Sequence, residues 1–196
     1  MKKIMFNDRF GLTDAVLEGR KTVTRRIVTD EIYGESYIDD NPPRIDEIHR
    51  PTTNSKYIKS HLSKYKVGEV IAIAQSYKYL ENCGFITHLI PDYLTSVGYN
   101  NKMFVRAEIM PHQIEIIDVR VERLQDISDE DCIKEGIIPV QTDDGVVYQW
   151  RETIGPRSAW IRTPKSAYAC LIYSIDGKGT WDNNPYVFRY EFKLLK

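Results

Sequence analysis

A chain of 196 residues, 42% of them hydrophobic, has the length and apolar content of one domain with its own core. Its formal net charge of −1 excludes bulk electrostatic attraction to nucleic acid, so such a partner would need a local patch or a pocket. The chain has no run of about 18 apolar residues, and Asp8 comes too early for a signal peptide. We expect a cytoplasmic protein without a membrane partner, and leave its oligomeric state open.

The first part of the chain is predicted to hold a strand, a helix and a second strand. Residues 3–6 form the first strand, and Thr13 is a plausible N-cap for a helix that ends at Leu17. Gly19 follows where a residue without Cβ adopts positive φ at little cost. Residues 22–28 are rich in β-branched side chains and are predicted as a strand. Alternation places three polar side chains on one face of it: Thr22, Thr24 and Arg26.

Long irregular stretches separate the strands predicted in the middle of the chain. Residues 30–64 are polar and aromatic without a sustained period, which is typical of a long loop or lid. A turn then leads into a strand over residues 70–74. Residues 104–109 and 114–124 alternate apolar with polar side chains and are predicted as an antiparallel pair.

The last third of the chain is predicted to contain two helices, a hairpin and a closing strand. Ser128 opens a short helix with capping-box character, and Gly136 ends it. Asp144-Gly145 is predicted as a hairpin turn. A helix over 165–175 ends at Gly177, and residues 186–195 form the last strand. Strands with two or three helices and no βαβ alternation predict an α+β or small-barrel architecture.

Charged and hydroxyl side chains are concentrated in residues 18–26. Two threonine hydroxyls in line with Arg26, and Lys21 at the mouth of the strand, suit a polar or anionic ligand such as a phosphate or a nucleobase edge. The alternative is a solvated edge strand whose cations discourage aggregation. Strict alternation puts Lys21 opposite Thr24, so a joint role requires Lys21 to lie in the turn before the strand. The scattered histidines lack zinc-site spacing, and we predict neither a metal site nor a cofactor.

The run Gly19-Arg20-Lys21-Thr22-Val23-Thr24-Arg25-Arg26 resembles the Gly-x-Lys-Thr-x-Thr-x-Arg signature of the ASCH domain, a relative of the PUA-like RNA-binding barrels. Three further segments match larger, often phage-associated members in order: the Val-Gly-Glu turn and strand at 65–73, the strand, helix and Glu-Gly step at 118–137, and the approach to the last strand at 181–188. The resemblance implies one α+β domain over residues 1–196, built as a PUA-like small β-barrel. Two or three helices would flank this barrel, with long insertions near 29–64, 77–102 and 139–164.

The resemblance also implies a function and a set of site residues. Our first choice is a domain that recognises RNA or a modified nucleoside in a polar, basic pocket. Thr22, Arg26 and Gln75 are then candidate ligand contacts, as are Trp181 and Asn184 of the tail, although Trp181 equally suits a plug at the barrel end. A second cluster, Trp150 and Trp160 with neighbouring arginines, suits single-stranded RNA or forms a solvated loop.

Two alternatives stay open. Some small ASCH proteins are amidohydrolases that deacetylate N4-acetylcytidine with a lysine, a threonine and a glutamate, and the matching positions here are Lys21, Thr24 and Glu135. Thr24 would then be the nucleophile, Lys21 its base and Glu135 the proton shuttle. An exposed acid in the last turn of its helix is the alternative interpretation of Glu135. The remaining alternative for the whole chain is a non-catalytic interaction module of a mobile element.

Overall fold

The structure is a computed structural model that describes residues 1–28, 63–85, 92–150 and 161–195. The predicted loop at 30–64 lies outside the described residues except at its end, as do residues 86–91 of the second predicted insertion and Trp160 of the second cluster.

Strands and helices in the described ranges follow the order expected of an α+β protein. The strands are β1 Lys3–Ile4, β2 Val23–Ile27, β3 Val70–Ile73, β4 Gln113–Arg123, β5 Ile138–Thr142, β6 Gly145–Gln149 and β7 Tyr186–Leu195. The α-helices are α1 Leu12–Leu17, α2 Tyr77–Asn82, α3 Asp129–Lys134, α4 Pro164–Asp176 and α5 Thr180–Asn183. In these ranges no helix has the length and apolar character that crossing a membrane requires.

Five strands form one mixed sheet in the order β1-β3-β4-β7-β2. Only β1 and β3 run parallel, and the other neighbours are antiparallel. The sheet buries its apolar side chains against α1, α3 and α4, which contribute Val16, Cys132 and Tyr168 to one core. Strands β5 and β6 form a separate hairpin whose chain reversal lies at Asp143-Asp144, next to the predicted turn. The α+β class is confirmed.

Several local predictions are confirmed by the backbone. Gly19 and Gly136 have φ of 75° and 104° directly after the last turns of α1 and α3, where a side chain with Cβ would be strained. Ser128 caps α3, because its hydroxyl accepts from Asp131 N at 3.1 Å. The closing strand spans the predicted residues.

Two local predictions are wrong. Residues 104–109 are not a strand: Phe104 ends the 3-10 turn Lys102–Phe104, and Ala107–Ile109 form a second 3-10 turn. The Lys3 ammonium donates to the Val105 carbonyl at 2.6 Å and also to the carbonyls of the first turn, so a side chain bonds the residues between the two turns. Thr13 is not the N-cap of α1, because the helix begins at Leu12 and its N-cap is Gly11. Thr13 lies in the first turn, and its hydroxyl donates to the Asp8 carboxylate.

Candidate functional site

A cavity of about 160 Å³ lies between the segment after β1, strand β2, the end of α3 and the side of α4. Three of its polar lining residues, Lys21, Thr24 and Glu135, are almost fully buried, at 2%, 4% and 3% exposure. Arg26 and Asp176 also line it, but both are exposed. The cavity thus has a buried polar floor and a charged mouth. Most of its remaining wall is apolar: Phe6, Leu12, Leu124, Leu171, Ile172, Ile175 and Val187.

The turn between α1 and β2 places Lys21 at the floor of this cavity. The chain reverses at Gly19, and Lys21 N then donates to Ala15 O at 2.8 Å. Thr22 N donates to Lys134 O at 2.9 Å, which ties the same turn to the end of α3. Strand β2 begins only at Val23, so Lys21 lies before the strand, as a shared site with Thr24 requires.

The Lys21 ammonium has an acceptor for each of its three N–H groups. Nζ donates to Val23 O at 2.8 Å, to Glu135 O at 2.9 Å and to Glu135 Oε2. Burial lowers the pKa of Lys21, and the neighbouring Glu135 carboxylate opposes this shift. None of the three acceptors is Thr24, so Lys21 and Thr24 share the cavity without a hydrogen bond between them.

Glu135 receives donors from three directions. Its Oε2 accepts from Lys21, while Oε1 accepts from Arg25 Nη1 at 3.1 Å and from the Tyr168 hydroxyl at 3.4 Å. Burial raises the pKa of Tyr168 well above its usual value, so this phenol keeps its proton and donates. Because a carboxylate offers about four acceptor positions, one position on Oε2 is left for a ligand.

Arg25 connects the floor to an ion-pair network on the sheet. Its guanidinium donates to Glu122 at 2.8 Å and to Asp131 at 2.6 Å. Arg189, the register partner of Arg25 on β7, donates to both oxygens of Asp131 at 2.6 and 3.0 Å. Partial burial alone would raise the pKa of Asp131, but the hydrogen bonds from Arg189 and Arg25 outweigh it and lower the pKa to about 2. The network therefore orients the Arg25 guanidinium, which in turn donates to Glu135.

At the mouth, the polar groups have fewer partners. Arg26 donates to the Met5 carbonyl, and its Cζ lies 6.0 Å from the centre of the Phe6 ring. The Asp176 carboxylate makes no hydrogen bond or ion pair with any residue in the described ranges. The Asp176 carboxylate is partly enclosed, although the residue as a whole is exposed. This burial raises the pKa of Asp176, and the charge of Arg26 opposes the shift. The Thr24 hydroxyl likewise makes no hydrogen bond within the part of the chain that the structure describes.

No family model, curated protein or solved structure matches this chain. In the described ranges, no group of three or more His, Cys, Asp or Glu side chains is placed to hold a metal ion.

Four of the residues predicted from the sequence meet at this cavity, and four do not. Lys21, Thr24, Arg26 and Glu135 line it. Thr22 is half-buried beside it and does not line it, and Gln75 lines a different cavity of about 220 Å³ with Thr13 and Ser76.

The two predicted contacts in the tail are held away from the cavity by packing. Trp181 is half-buried and packs edge-on against Tyr168, with ring centres 6.1 Å apart. The Asn184 side chain accepts from Gln125 N at 2.8 Å and holds the tail to the residues after β4.

Sequence reasoning missed three residues of the site: Arg25, Tyr168 and Asp176. Alternation assigned Arg25 to the other face of β2, and the helical spacing of α4 did not show which side would meet a cavity. Asp176 carried a usable signal, because an acid at the end of a predicted helix opposes the helix dipole.

Proposed function

We propose that this protein is a PUA-like ASCH domain that binds one nucleobase, presented by RNA or by a modified nucleoside, in the cavity beside β2. The carrying observation is the convergence of Lys21, Thr24 and Glu135 on one small cavity, although Lys21 and Glu135 are 114 residues apart in sequence. Buried polar side chains are unfavourable unless the fold or a ligand gives them partners.

The size of the cavity suits a single base. Its volume of about 160 Å³ is well below the roughly 300–1,000 Å³ of pockets for drug-sized ligands. The buried floor and exposed mouth would admit the base and leave its sugar and phosphate outside.

The polar groups left over at the cavity match a base edge. Thr24 offers a hydroxyl that can donate and accept, and Glu135 has an acceptor position left on Oε2. Leucine, isoleucine and phenylalanine side chains provide apolar surface for the faces of the ring. Sequence-specific RNA binding uses this combination of edge hydrogen bonds and face contacts on unpaired bases.

One contact supports the PUA-like barrel in particular. Strands β1 and β2 are the two outer strands of the sheet, yet Arg26 of β2 donates to the carbonyl of Met5, directly after β1. Phe6 also contacts Phe192 of β7, with ring centres 5.7 Å apart. A sheet whose outer strands approach within the length of one arginine is strongly curled, as a small barrel requires.

Calorimetric titration with the four ordinary ribonucleosides, N4-acetylcytidine and a short single-stranded RNA tests the proposal. We expect at least one of them to bind, and Thr24→Val to weaken that binding about tenfold, because the base loses a hydrogen bond. The matched control is Thr142→Val, since Thr142 lies in the β5–β6 hairpin away from the cavity. Equal affinity in the Thr24 variant would contradict the assignment of this cavity.

The convergence of the same three residues also favours a second candidate, an amidohydrolase acting on N4-acetylcytidine or a similar amide. Lys21 would first have to pass one proton to the Glu135 carboxylate and turn from its present acceptors towards Thr24. Thr24 Oγ would then attack the acetyl carbonyl as Lys21 takes its proton, and the amine would leave with the proton held by Glu135. Water would finally hydrolyse the acetyl ester on Thr24, which releases acetate and restores the threonine.

Incubation with N4-acetylcytidine, followed by chromatography for cytidine and acetate, separates the two candidates. An enzyme releases both products, and Thr24→Val or Glu135→Gln abolishes the release. A protein that binds the nucleoside but releases no product has the binding function alone.

A further inference from the structure

We infer that Asp176 recognises the ribose 2′-hydroxyl at the mouth of the cavity, so that the site prefers a ribonucleotide or ribonucleoside to its 2′-deoxy counterpart. This inference rests on the proposed binding of a nucleobase by the same cavity. It adds the residue that selects the sugar and the chemical class that is selected.

The position of Asp176 fits a contact with a group just outside the cavity. It is the last residue of α4, and it lines the cavity together with Arg26; both residues are exposed, whereas Lys21, Thr24 and Glu135 are buried. If the base occupies the small cavity, the next chemical group that reaches Asp176 is the sugar.

The stability of the fold does not account for an acid at this position. The carboxylate lies at the C-terminal end of α4, where a negative charge opposes the helix dipole, and the last turn of α4 has no basic residue. In the described ranges its carboxylate has neither a hydrogen bond nor an ion pair. An unfavourable charge at a cavity mouth, with no hydrogen bond or ion pair among the described residues, suggests a ligand contact, since functional sites are where local rules of stability are broken.

The chemistry of a carboxylate then selects the sugar hydroxyl over the phosphate. A carboxylate only accepts hydrogen bonds, so it attracts an O–H group and repels a phosphate. In an RNA strand the 3′-oxygen is esterified, and the 2′-hydroxyl is the sugar donor that free ribonucleosides and RNA share. The 2′-hydroxyl is also the group by which proteins distinguish RNA from DNA.

The test compares the ribonucleoside that binds most tightly, among the four ordinary ones and N4-acetylcytidine, with its 2′-deoxy counterpart. Titration calorimetry of the wild-type protein is expected to give about tenfold weaker binding for the deoxy compound, the effect of one hydrogen bond to a charged group. In Asp176→Ala, affinity for the ribonucleoside falls to that of the deoxy compound, whereas affinity for the deoxy compound is unchanged. Asp182→Asn is the matched control, because it removes a nearby negative charge that does not line the cavity.

The outcomes separate the inference from the function on which it rests. Equal binding of the two sugars by the wild-type protein, or a ribose preference that survives in Asp176→Ala, overturns the role of Asp176 and leaves the nucleobase site standing. If only the single-stranded RNA binds, DNA of the same sequence takes the place of the deoxy compound in the same comparison. Failure of every nucleoside and of the RNA to bind overturns the proposed function, and the inference with it.

Discussion

Two side chains that follow each other on β2 have opposite surroundings. Arg25 donates to three carboxylates, Glu122, Asp131 and Glu135, and every one of them belongs to the protein. Thr24 is as deeply buried, yet its hydroxyl makes no hydrogen bond within the described residues. The carboxylates around Arg25 complete its network without a ligand. In the cavity beside it, the hydroxyl of Thr24 and the carboxylate of Asp176 have no hydrogen bond among the described residues. The comparison separates the side chains of a complete ion-pair network from a buried hydroxyl that has no partner among the described residues.

The largest loss of stability is expected when Asp131 is removed from the network around Arg25. Asp131→Ala leaves Arg25 and Arg189 facing each other across β2 and β7 without the carboxylate between them. We expect the free energy of unfolding to fall by about 3 kcal/mol, because both arginines lose charge-assisted hydrogen bonds to a partly buried carboxylate. Urea unfolding measures it, with the exposed first-turn residue Asp129→Ala as control. A loss no greater than that of the control would show that the network does not hold the fold.

Acid should weaken the same network by a smaller amount. The folded-state pKa of Asp131 is about 2, below its ordinary value of 3.8, so its contribution is fully present above about pH 4 and is lost as pH falls towards 2. Discounted for the solvent that screens a partly exposed carboxylate, the shift corresponds to about 1–2 kcal/mol. Unfolding measured between pH 5 and pH 2 should show this loss in the wild-type protein. The loss should be reduced in Asp131→Asn, and identical pH profiles would contradict the assignment.

The smallest effect on stability is expected when Thr24 is replaced. Thr24→Val exchanges a hydroxyl that has no partner in the described ranges for a methyl group, and it keeps the β-branched shape that suits a strand. We expect the free energy of unfolding to change by less than about 1 kcal/mol, in the same urea experiment. A loss as large as that of Asp131→Ala would mean that Thr24 serves the fold rather than a ligand.

Local patterns in the sequence predicted the parts of the molecule that depend on neighbouring residues. Gly19 and the β-branched run after it fixed the turn and strand that carry Lys21 and Thr24. Ser128 marked the start of α3. Such signals depend on hydrogen bonds and backbone angles within a few residues, so a single sequence contains them.

Contacts between distant segments set the limit of that reasoning. Glu135 is predicted as a site residue only from the family resemblance, since no spacing rule connects it with Lys21, 114 residues away. The alternation of residues 104–109 predicted a strand, but the segment forms 3-10 turns, and the Val105 carbonyl accepts from the distant Lys3 ammonium. Gln75 and Trp181 were assigned to the pocket by composition and resemblance, and tertiary packing decides which cavity or core each one meets.

The position of β2 at the edge of the sheet has a consequence for how the protein is made. In the described sheet β2 pairs only with β7, and the anion that matches Lys21 lies at the end of α3. During synthesis β2 therefore emerges from the ribosome long before its hydrogen-bonding partner and before Glu135. Strand β2 cannot pair until β7 has been synthesised, so we expect the cavity to form among the last steps of folding. An incomplete chain would then lack the cavity even where its helices have already formed.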